Sequence, residues 1–415
     1  MSMVLTKWRG VTPGHLSGLG AFLILPLALL MPMALSLIAI VGMVVIPALL
    51  FRRDHRLPRL SLSLGLPLGI FIAYGGVSAL WAMDLGNTLG LAPRLGLVFL
   101  GGLALLDASR RVDAEDRRRA AQGLVLGLAA GLTLLAVEVA DHGTITQLLR
   151  TLFRAGWKPS SILFNRGATV LAILLWCGVL LALRRRRFWL AAALPVVSLG
   201  IVSMTEAAAA SVAVIAGAVA FGLVAAAPRR MPALLAAGLA IGILVAPAVV
   251  FFAHGVPALA DFWALPNSAG HRLRIWSHAV DLIAQKPWFG WGLDSARSLG
   301  TGGHGIGSTA DLMPLHPHNG VLQIWLELGV VGAVLAAWFA VALCRAITKS
   351  MSVRLDRATA FATLFSALVV LCLSYGIWQW WWQSTLWLIA ALMAALPRAD
   401  AVPPGGALRS ADGGG

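Results

Sequence analysis

Two histidines and an asparagine stand together in the segment Leu315-His316-Pro317-His318-Asn319, directly before a long apolar run. An imidazole titrates near neutral pH, so it can take a proton from an attacking hydroxyl group as a general base. A nearby arginine keeps an imidazole neutral, because a like charge lowers the pKa of histidine. The segment therefore predicts general-base chemistry at the point where the chain enters the membrane.

The same His-x-His pattern also occurs in zinc sites, which need three or four protein ligands. Further ligands are missing from the neighbouring sequence. A zinc site would have to recruit distant histidines, for which the chain offers His271, His278 and His304. The zinc alternative stays open, but the sequence favours a site without metal or other cofactor.

A candidate phosphate-binding helix precedes the histidines, between Gly270 and Pro287. Its apolar residues recur at spacings of three and four, which is typical of one helix face: Leu273, Trp276, Val280 and Ile283. We expect this face to lie on the membrane surface. Arg272 lies one turn before Trp276, and Arg274 lies on another face. These two arginines either bind a substrate phosphate or anchor the helix to lipid phosphates.

Charged residues also occur inside or at the rim of apolar runs, where they are costly and usually functional. They are Arg94, Arg166, Glu206 and Glu327. Arg166 and Arg94 are candidate site residues, and Glu327 is a candidate supporting residue. The alternatives are a structural Arg166–Glu206 ion pair, an ion pair between Glu327 and an arginine, and an interface anchor at Arg94.

The composition predicts the elements that must position these residues. Of 415 residues, 59% are hydrophobic and 12% are charged, and the mean hydropathy is +0.85. A soluble domain carries about 25% charged residues, so a soluble enzyme is excluded. The net charge of +15 comes from short basic clusters between apolar runs. This distribution is typical of membrane topology signals and not of a nucleic-acid partner.

The fold class is an all-α polytopic membrane protein, because about 20 apolar residues form each membrane span. The apolar runs predict twelve transmembrane helices, at 16–33, 34–51, 60–82, 92–108, 120–140, 161–183, 188–204, 205–227, 231–252, 320–344, 359–377 and 379–396. Most lysines and arginines then fall in cytoplasmic segments, which places both termini in the cytoplasm.

This layout divides the chain into three parts. Residues 1–396 form a single transmembrane domain. Within it, residues 253–319 form one large periplasmic loop between helices 9 and 10, carrying the short amphipathic helix. Residues 397–415 are rich in Pro, Gly, Ala and Ser and predict a disordered cytoplasmic tail.

An ordered set of motifs resembles the O-antigen ligase/polymerase family. The set comprises Arg272-x-x-x-Trp276, then Lys286-Pro287-Trp288-Phe289-Gly290-Trp291-Gly292, then His316-Pro317-His318-Asn319, then Gln323, and then Glu327-Leu328-Gly329-Val330-Val331-Gly332. The specific part of the resemblance covers roughly residues 160–345. In that family a Ser-Arg pair often opens the span after the short seventh one, whereas this chain has Thr205-Glu206 there.

The resemblance implies a metal-independent, inverting glycosyltransferase of the bacterial inner membrane. Its donor would be a glycan on undecaprenyl diphosphate, and its acceptor would be lipid A–core for a ligase or another lipid-linked glycan for a polymerase. It implies His318 as the essential base, Arg272 as the loop arginine and Arg166 as a membrane arginine that meets the diphosphate. His316, Asn319 and Trp276 would support them.

A rival from another class is a twelve-span transporter or flippase. Such proteins usually show internal repeats and polar broken helices at the membrane midplane. The sequence has no convincing repeat, and its polar residues collect at the predicted outer rim. The place where the charged residues converge distinguishes the two classes.

Overall fold

The computed structural model describes residues 12–141, 143–152, 162–256, 268–300, 313 and 315–396, and these are helical and connecting segments without a strand. The helices are α1 (Pro13–Leu30), α2 (Ala34–Asp54), α3 (Leu62–Val77), α4 (Leu85–Arg111), α5 (Ala114–Ala140), α6 (Thr144–Leu152), α7 (Ile162–Arg184), α8 (Phe188–Ser203), α9 (Ala208–Ala226), α10 (Met231–His254), α11 (Ser268–Gln285), α12 (Ala296–Gly300), α13 (Gly320–Ser350), α14 (Arg354–Leu373) and α15 (Trp380–Ala395), with a 3₁₀ turn at Ser78–Leu80.

The expected all-helical membrane architecture is confirmed at the level of class. Within the described ranges, ten helices are long and apolar enough to cross a membrane. Each of the twelve predicted spans contains a helix, but α8 and α15 have only 16 residues each. The count of twelve and the membrane sidedness therefore stay predictions. The predicted tail, 397–415, lies outside the described residues.

Helix α7 lies at the centre of the bundle. It is apolar nearly all round, and a helix of that kind is stable only when other helices cover every face. Its span is 89% buried, against 11% for α10 at the edge. Helices α1, α5, α8, α9, α14 and α15 pack around it. One end of this central helix carries Arg166, so the packing fixes the place of a candidate site residue.

Helices α1 and α5 approach each other closely through glycine. Gly123, Gly127 and Gly131 recur every four residues on α5 and face α1. A Cβ atom at Gly123 would overlap the carbonyl of Gly18, and one at Gly127 would overlap the backbone of Phe22. Small residues at such spacing let membrane helices pack backbone against backbone.

The end of the bundle that holds the termini of α4, α5 and α7 carries a set of ion pairs, and we call it the ion-pair end. Arg184 lies 2.7 Å from Asp356, and both side chains are 8% exposed. Other arginines there contact carboxylates in the pairs Arg53–Asp113, Arg111–Asp54, Arg111–Asp107 and Arg119–Glu115. The pairs Arg184–Asp356, Arg53–Asp113 and Arg111–Asp54 join segments that are distant in sequence, whereas the other two each lie within one helix.

The candidate phosphate-binding helix, α11, packs differently from the expectation. Its buried residues include Ile275, Ala279 and Leu282 beside the expected Val280 and Ile283. They contact side chains of α10 and α13. The apolar face of α11 therefore lies on the protein's own helices instead of on lipid, because two neighbouring helices offer an apolar surface at that height.

Candidate functional site

Helix α13 is interrupted at Gly329, where the backbone has φ 62° and ψ −160°. A residue with a Cβ atom rarely adopts this conformation. The interruption leaves backbone groups near it without helical partners. The first segment of α13, from Gly320 to Leu328, is thereby set off from the rest of the helix, and His318 and Asn319 lie directly before it.

The aromatic turn Trp288–Gly292 provides the missing backbone partners. The amides of Trp291 and Gly292 donate to the carbonyls of Leu326 and Glu327, at 3.0 and 2.8 Å. In return, the amide of Val330 donates to the carbonyl of Pro287 at 2.8 Å. These bonds explain why the two glycine-containing motifs occur together in one chain.

The two backbones can meet only through glycine. Gly290 has φ +69°, and a Cβ atom there would overlap the backbone of Glu327. A Cβ atom at Gly329 would overlap the carbonyl of Trp288. The aromatic turn is therefore a structural partner of α13 and more than an interface anchor.

Glu327 is fully buried beside this junction. Its carboxylate accepts hydrogen bonds from the Gln323 side chain at 2.9 Å, from the Trp378 indole at 2.6 Å and from the Asp294 amide at 2.8 Å. Among the described residues no arginine forms an ion pair with it. The ion pair weighed for Glu327 is therefore wrong, and neutral donors from three segments satisfy the carboxylate.

The connection between α14 and α15, residues 374–379, is the centre of the site, and we call it the tryptophan turn. The apolar run predicts 374–377 as part of a span, but α14 ends at Leu373. The backbone of this turn contacts three polar side chains. The Ser374 carbonyl contacts His318, the Ile377 amide donates to Gln323, and the Trp378 carbonyl accepts from Arg94.

His318 is held in one tautomer by the tryptophan turn. Its Nδ1 atom lies 2.7 Å from the Ser374 carbonyl oxygen. A carbonyl can only accept, so Nδ1 carries the proton and Nε2 presents a lone pair. This arrangement suits a general base. The backbone of His318 is left-handed, with φ 52°.

Electrostatics also favour a neutral His318. Burial lowers the pKa of His318 below its ordinary value, and the positive charges of Arg272 and His271 lower it further, although the hydrogen bond to Ser374 opposes the shift. The electrostatic effect of Arg272 on His318 agrees with the expectation that these two side chains lie near each other. A base with a lowered pKa keeps its lone pair available at neutral pH.

The other expected supporting residues also lie beside His318. The His316 and His318 ring centroids are 4.4 Å apart. The Trp276 indole donates to the carbonyl of Pro317 at 3.0 Å. The Asn319 side chain caps α13 by accepting from the amides of Val321 and Leu322 at 3.0 and 3.1 Å.

Two of the predicted arginines lie over indole rings at the start of α15. The Arg94 guanidinium is 5.0 Å from the Trp380 ring centroid, and the Arg166 guanidinium is 5.5 Å from that of Trp381. Such cation–π contacts orient a guanidinium without neutralising it. Neither arginine forms an ion pair with any residue that the structure describes.

Two other candidate residues are exposed, unlike Arg94 and Arg166. Arg274 is exposed on α11, whereas Arg272 on the same helix is half-buried. Glu206 is exposed, and no contact with Arg166 occurs in the described part of the chain. The Arg166–Glu206 pair that the sequence offered as an alternative is therefore not formed.

The sequence does not predict a role for Arg297 or for the tryptophan turn. The Arg297 guanidinium lies 3.0 Å from the Asp294 carboxylate. Its positive charge also acts electrostatically on His316 and Arg94. The available signal was a run of aromatic and amide side chains from Tyr375 to Gln383. Tryptophan at a span end usually marks the lipid interface. The sequence alone therefore gives no reason to expect polar contacts at this turn.

No group of three or more His, Cys, Asp or Glu side chains within the described ranges is arranged to hold a metal ion. His304, one of the histidines weighed as a zinc ligand, lies outside those ranges. The described contacts of His318 and His316 are with a carbonyl, a backbone amide, an amide side chain and each other.

These features define the class: a polytopic helical membrane protein whose histidines and arginines meet where loop and helix ends join. Residues 196–337 match the family model described as O-Antigen ligase. A protein of Rickettsia felis named "Putative polysaccharide ligase" is 27% identical over 338 residues, which is 80% of each chain. Its counterpart in Rickettsia conorii is 26% identical over 337 residues, again 80% of each chain. The family model and these relatives support the O-antigen ligase family, which the motifs resemble.

Proposed function

We propose that this protein transfers a glycan from undecaprenyl diphosphate to an acceptor hydroxyl group on the periplasmic side of the bacterial inner membrane. The preferred acceptor is lipid A–core, as for an O-antigen ligase. The proposal is supported by the family match and by the names of the Rickettsia relatives, which describe polysaccharide ligases. The observation that carries it is the fixed tautomer of His318 beside arginine.

The first step assigned to the site is proton removal. The Nε2 lone pair of His318 takes the proton from the acceptor hydroxyl as its oxygen attacks the anomeric carbon. The bond from that carbon to the diphosphate oxygen breaks, and the electron pair leaves with the diphosphate. Attack opposite the leaving group inverts the anomeric carbon. A positioned general base contributes roughly 10²–10⁴-fold to such a reaction.

The arginines stabilise the charge that develops on the departing diphosphate. A guanidinium is planar and always charged, and it binds phosphate oxygens in pairs. The charge of Arg272 acts on the base, while Arg94 and Arg166 lie over the tryptophan rings. Preorganised cations in a partly dry site act most strongly on charge that forms in the transition state.

A polymerase of the same family is the second candidate, because it would use the same base and the same donor. The two differ only in the acceptor, and the name of the relatives favours the ligase. The transporter or flippase is disfavoured by the position of the polar group. Among the described residues His318 lies directly before α13 and contacts the connection between α14 and α15, and Arg166 lies near the first residue of α7.

The test is a transfer assay with purified protein and a lipid-diphosphate-linked glycan. Lipid A–core and a second lipid-linked glycan are supplied as competing acceptors. The ligase attaches glycan to lipid A–core, the polymerase extends the lipid-linked glycan, and a transporter yields no new glycosidic bond. Deletion of the gene in its host distinguishes the same outcomes on a gel of surface polysaccharide, by loss of all attached chains or by attached single units.

A further inference from the structure

Four polar groups beside the proposed base lie in series. The amide of His318 lies 3.2 Å from Nδ1 of the His316 ring. Nε2 of His316 lies 3.4 Å from Nε2 of the Gln379 side chain. Oε1 of Gln379 lies 3.0 Å from the indole nitrogen of Trp381. The series therefore runs from the loop before α13 to the start of α15.

The donors in this series outnumber the acceptors. Both ends, the His318 amide and the Trp381 indole, can only donate. The neutral His316 ring and the Gln379 amide each contribute one donor and one acceptor to the series. The three contacts need three acceptors. The series supplies only two, one on the His316 ring and one on the Gln379 side chain. Turning the amide or moving the ring proton shifts the mismatch to another contact without removing it.

The mismatch falls between His316 and Gln379. Their contact is the longest of the series at 3.4 Å, and it brings two nitrogen atoms together. The amide of His318 fixes the lone pair of His316 on Nδ1, so Nε2 carries the proton. Two N–H donors thus converge on one place. Both side chains are half-buried, so a ligand can reach them.

The surroundings select an anionic oxygen as the ligand. The positive charge of Arg297 acts on His316, and the ring of His318 lies 4.4 Å away. Burial lowers the pKa of His316 to about 3, with help from His318 and Arg297. His316 is therefore neutral across the physiological range and presents an Nε2–H donor, whereas the neutral His318 presents an Nε2 lone pair. A phosphate oxygen accepts several hydrogen bonds at once and suits two convergent donors.

We propose that His316 and Gln379 form a neutral donor pair that binds a phosphate oxygen of the lipid diphosphate beside His318. This inference rests on the proposed function and assigns a binding role that the arginine residues alone do not explain. The pair supplies hydrogen bonds without adding positive charge next to the base. It thereby holds the leaving group close to His318 while the lone pair of His318 stays free.

The test is binding of farnesyl diphosphate, with farnesol as the uncharged probe, to the full-length protein in nanodiscs. Gln379→Glu places a carboxylate that accepts from both His316 and Trp381, so the variant stays folded. It also loses one donor and repels phosphate, so the affinity for farnesyl diphosphate falls by about tenfold or more. Farnesol binding is unchanged. The matched control is Gln285→Glu, on the exposed end of α11.

The outcomes separate this inference from the proposed function. Wild-type affinity of Gln379→Glu for farnesyl diphosphate overturns the donor pair, and so does an equal loss of farnesol binding. If Arg272→Gln still weakens diphosphate binding in that case, the proposed function stands. If Arg272→Gln has no effect either, the phosphate site of the proposed function fails as well.

A measurement on the wild-type protein keeps the inference testable if the variant does not fold. Nitrogen-15 spectra of labelled histidine distinguish the Nε2–H tautomer from the Nδ1–H tautomer. We expect the Nε2–H form for His316 and the Nδ1–H form for His318, assigned with His316→Gln. Farnesyl diphosphate moves the His316 signal and farnesol does not. The same tautomer in both rings, or no response to the diphosphate, contradicts the donor pair.

Discussion

Arginine residues lie at both ends of this bundle, and they have different partners at each end. At the ion-pair end Arg184, Arg53, Arg111 and Arg119 contact carboxylates. At the site, Arg94 and Arg166 lie over indole rings. Carboxylates neutralise the arginine side chains at the ion-pair end, whereas indole rings orient the arginine side chains at the site without neutralising them. An oriented guanidinium can still bind an incoming anion, whereas a paired one stabilises the fold.

The largest effect is expected from removing the base. His318→Ala deletes the only proposed proton acceptor, so we expect transfer to fall by roughly 10²-fold or more, with the amount of protein in the membrane unchanged. The matched control is His55→Ala at the ion-pair end, since His55 has the same left-handed backbone, φ 52°. Glycan transfer that persists in His318→Ala membranes removes the base assignment.

The second prediction concerns a neutralised arginine. Arg184→Gln leaves Asp356 buried without its cation, which costs about 3–5 kcal/mol of folding stability. Thermal unfolding in detergent measures the loss. The fraction that stays folded retains the wild-type KM for the lipid donor, because the pair lies at the opposite end from the site. A raised KM with unchanged stability would erase the distinction between the two ends.

The third prediction concerns the oriented arginines. Arg166→Lys keeps the charge but loses the planar group that stacks on Trp381 and binds phosphate in pairs. We expect kcat/KM to fall about tenfold, equivalent to about 1.4 kcal/mol, with unchanged thermal stability. Arg53→Lys, in an exposed ion pair, serves as the control with little change in either measurement. A stability loss without a kinetic effect would make Arg166 a structural residue.

The smallest expected effect is on pH dependence. The base acts when deprotonated, and the pKa of His318 is lowered by burial and by Arg272. The rate should therefore decline only below about pH 6.5, the ordinary pKa of histidine. Arg272→Gln removes a positive charge, so the acid limb of kcat/KM moves to higher pH. An acid limb that moves to lower pH, or stays fixed, contradicts this electrostatic coupling.

The helices could be predicted from the sequence because each needs only a long apolar run, and each predicted span contains one. What covers an apolar face could not be predicted in the same way. The spacing on α11 indicates an apolar stripe, but lipid and neighbouring helices satisfy it equally. The packing of Ile275 and Ala279 against other helices depends on contacts between distant segments.

The candidate site could be predicted in part. Histidine before α13 and arginine on α11 are recognisable by type and position, and in the structure the charge of Arg272 acts on His318. The interruption at Gly329 leaves no local signal, because glycine is common in membrane helices and the apolar run continues across it. The partners of Glu327 come from the loop and from the tryptophan turn, so no single window of sequence contains them.

The junction between the aromatic turn and the interrupted helix has a consequence for exchanging parts between related enzymes. Its bonds join main-chain atoms of 287–292 to those of 326–331. A chimera that takes the loop from a relative must therefore take both segments from the same parent. Seams elsewhere in the loop leave this register intact, so loop residues can be exchanged without separating His318 from its helix.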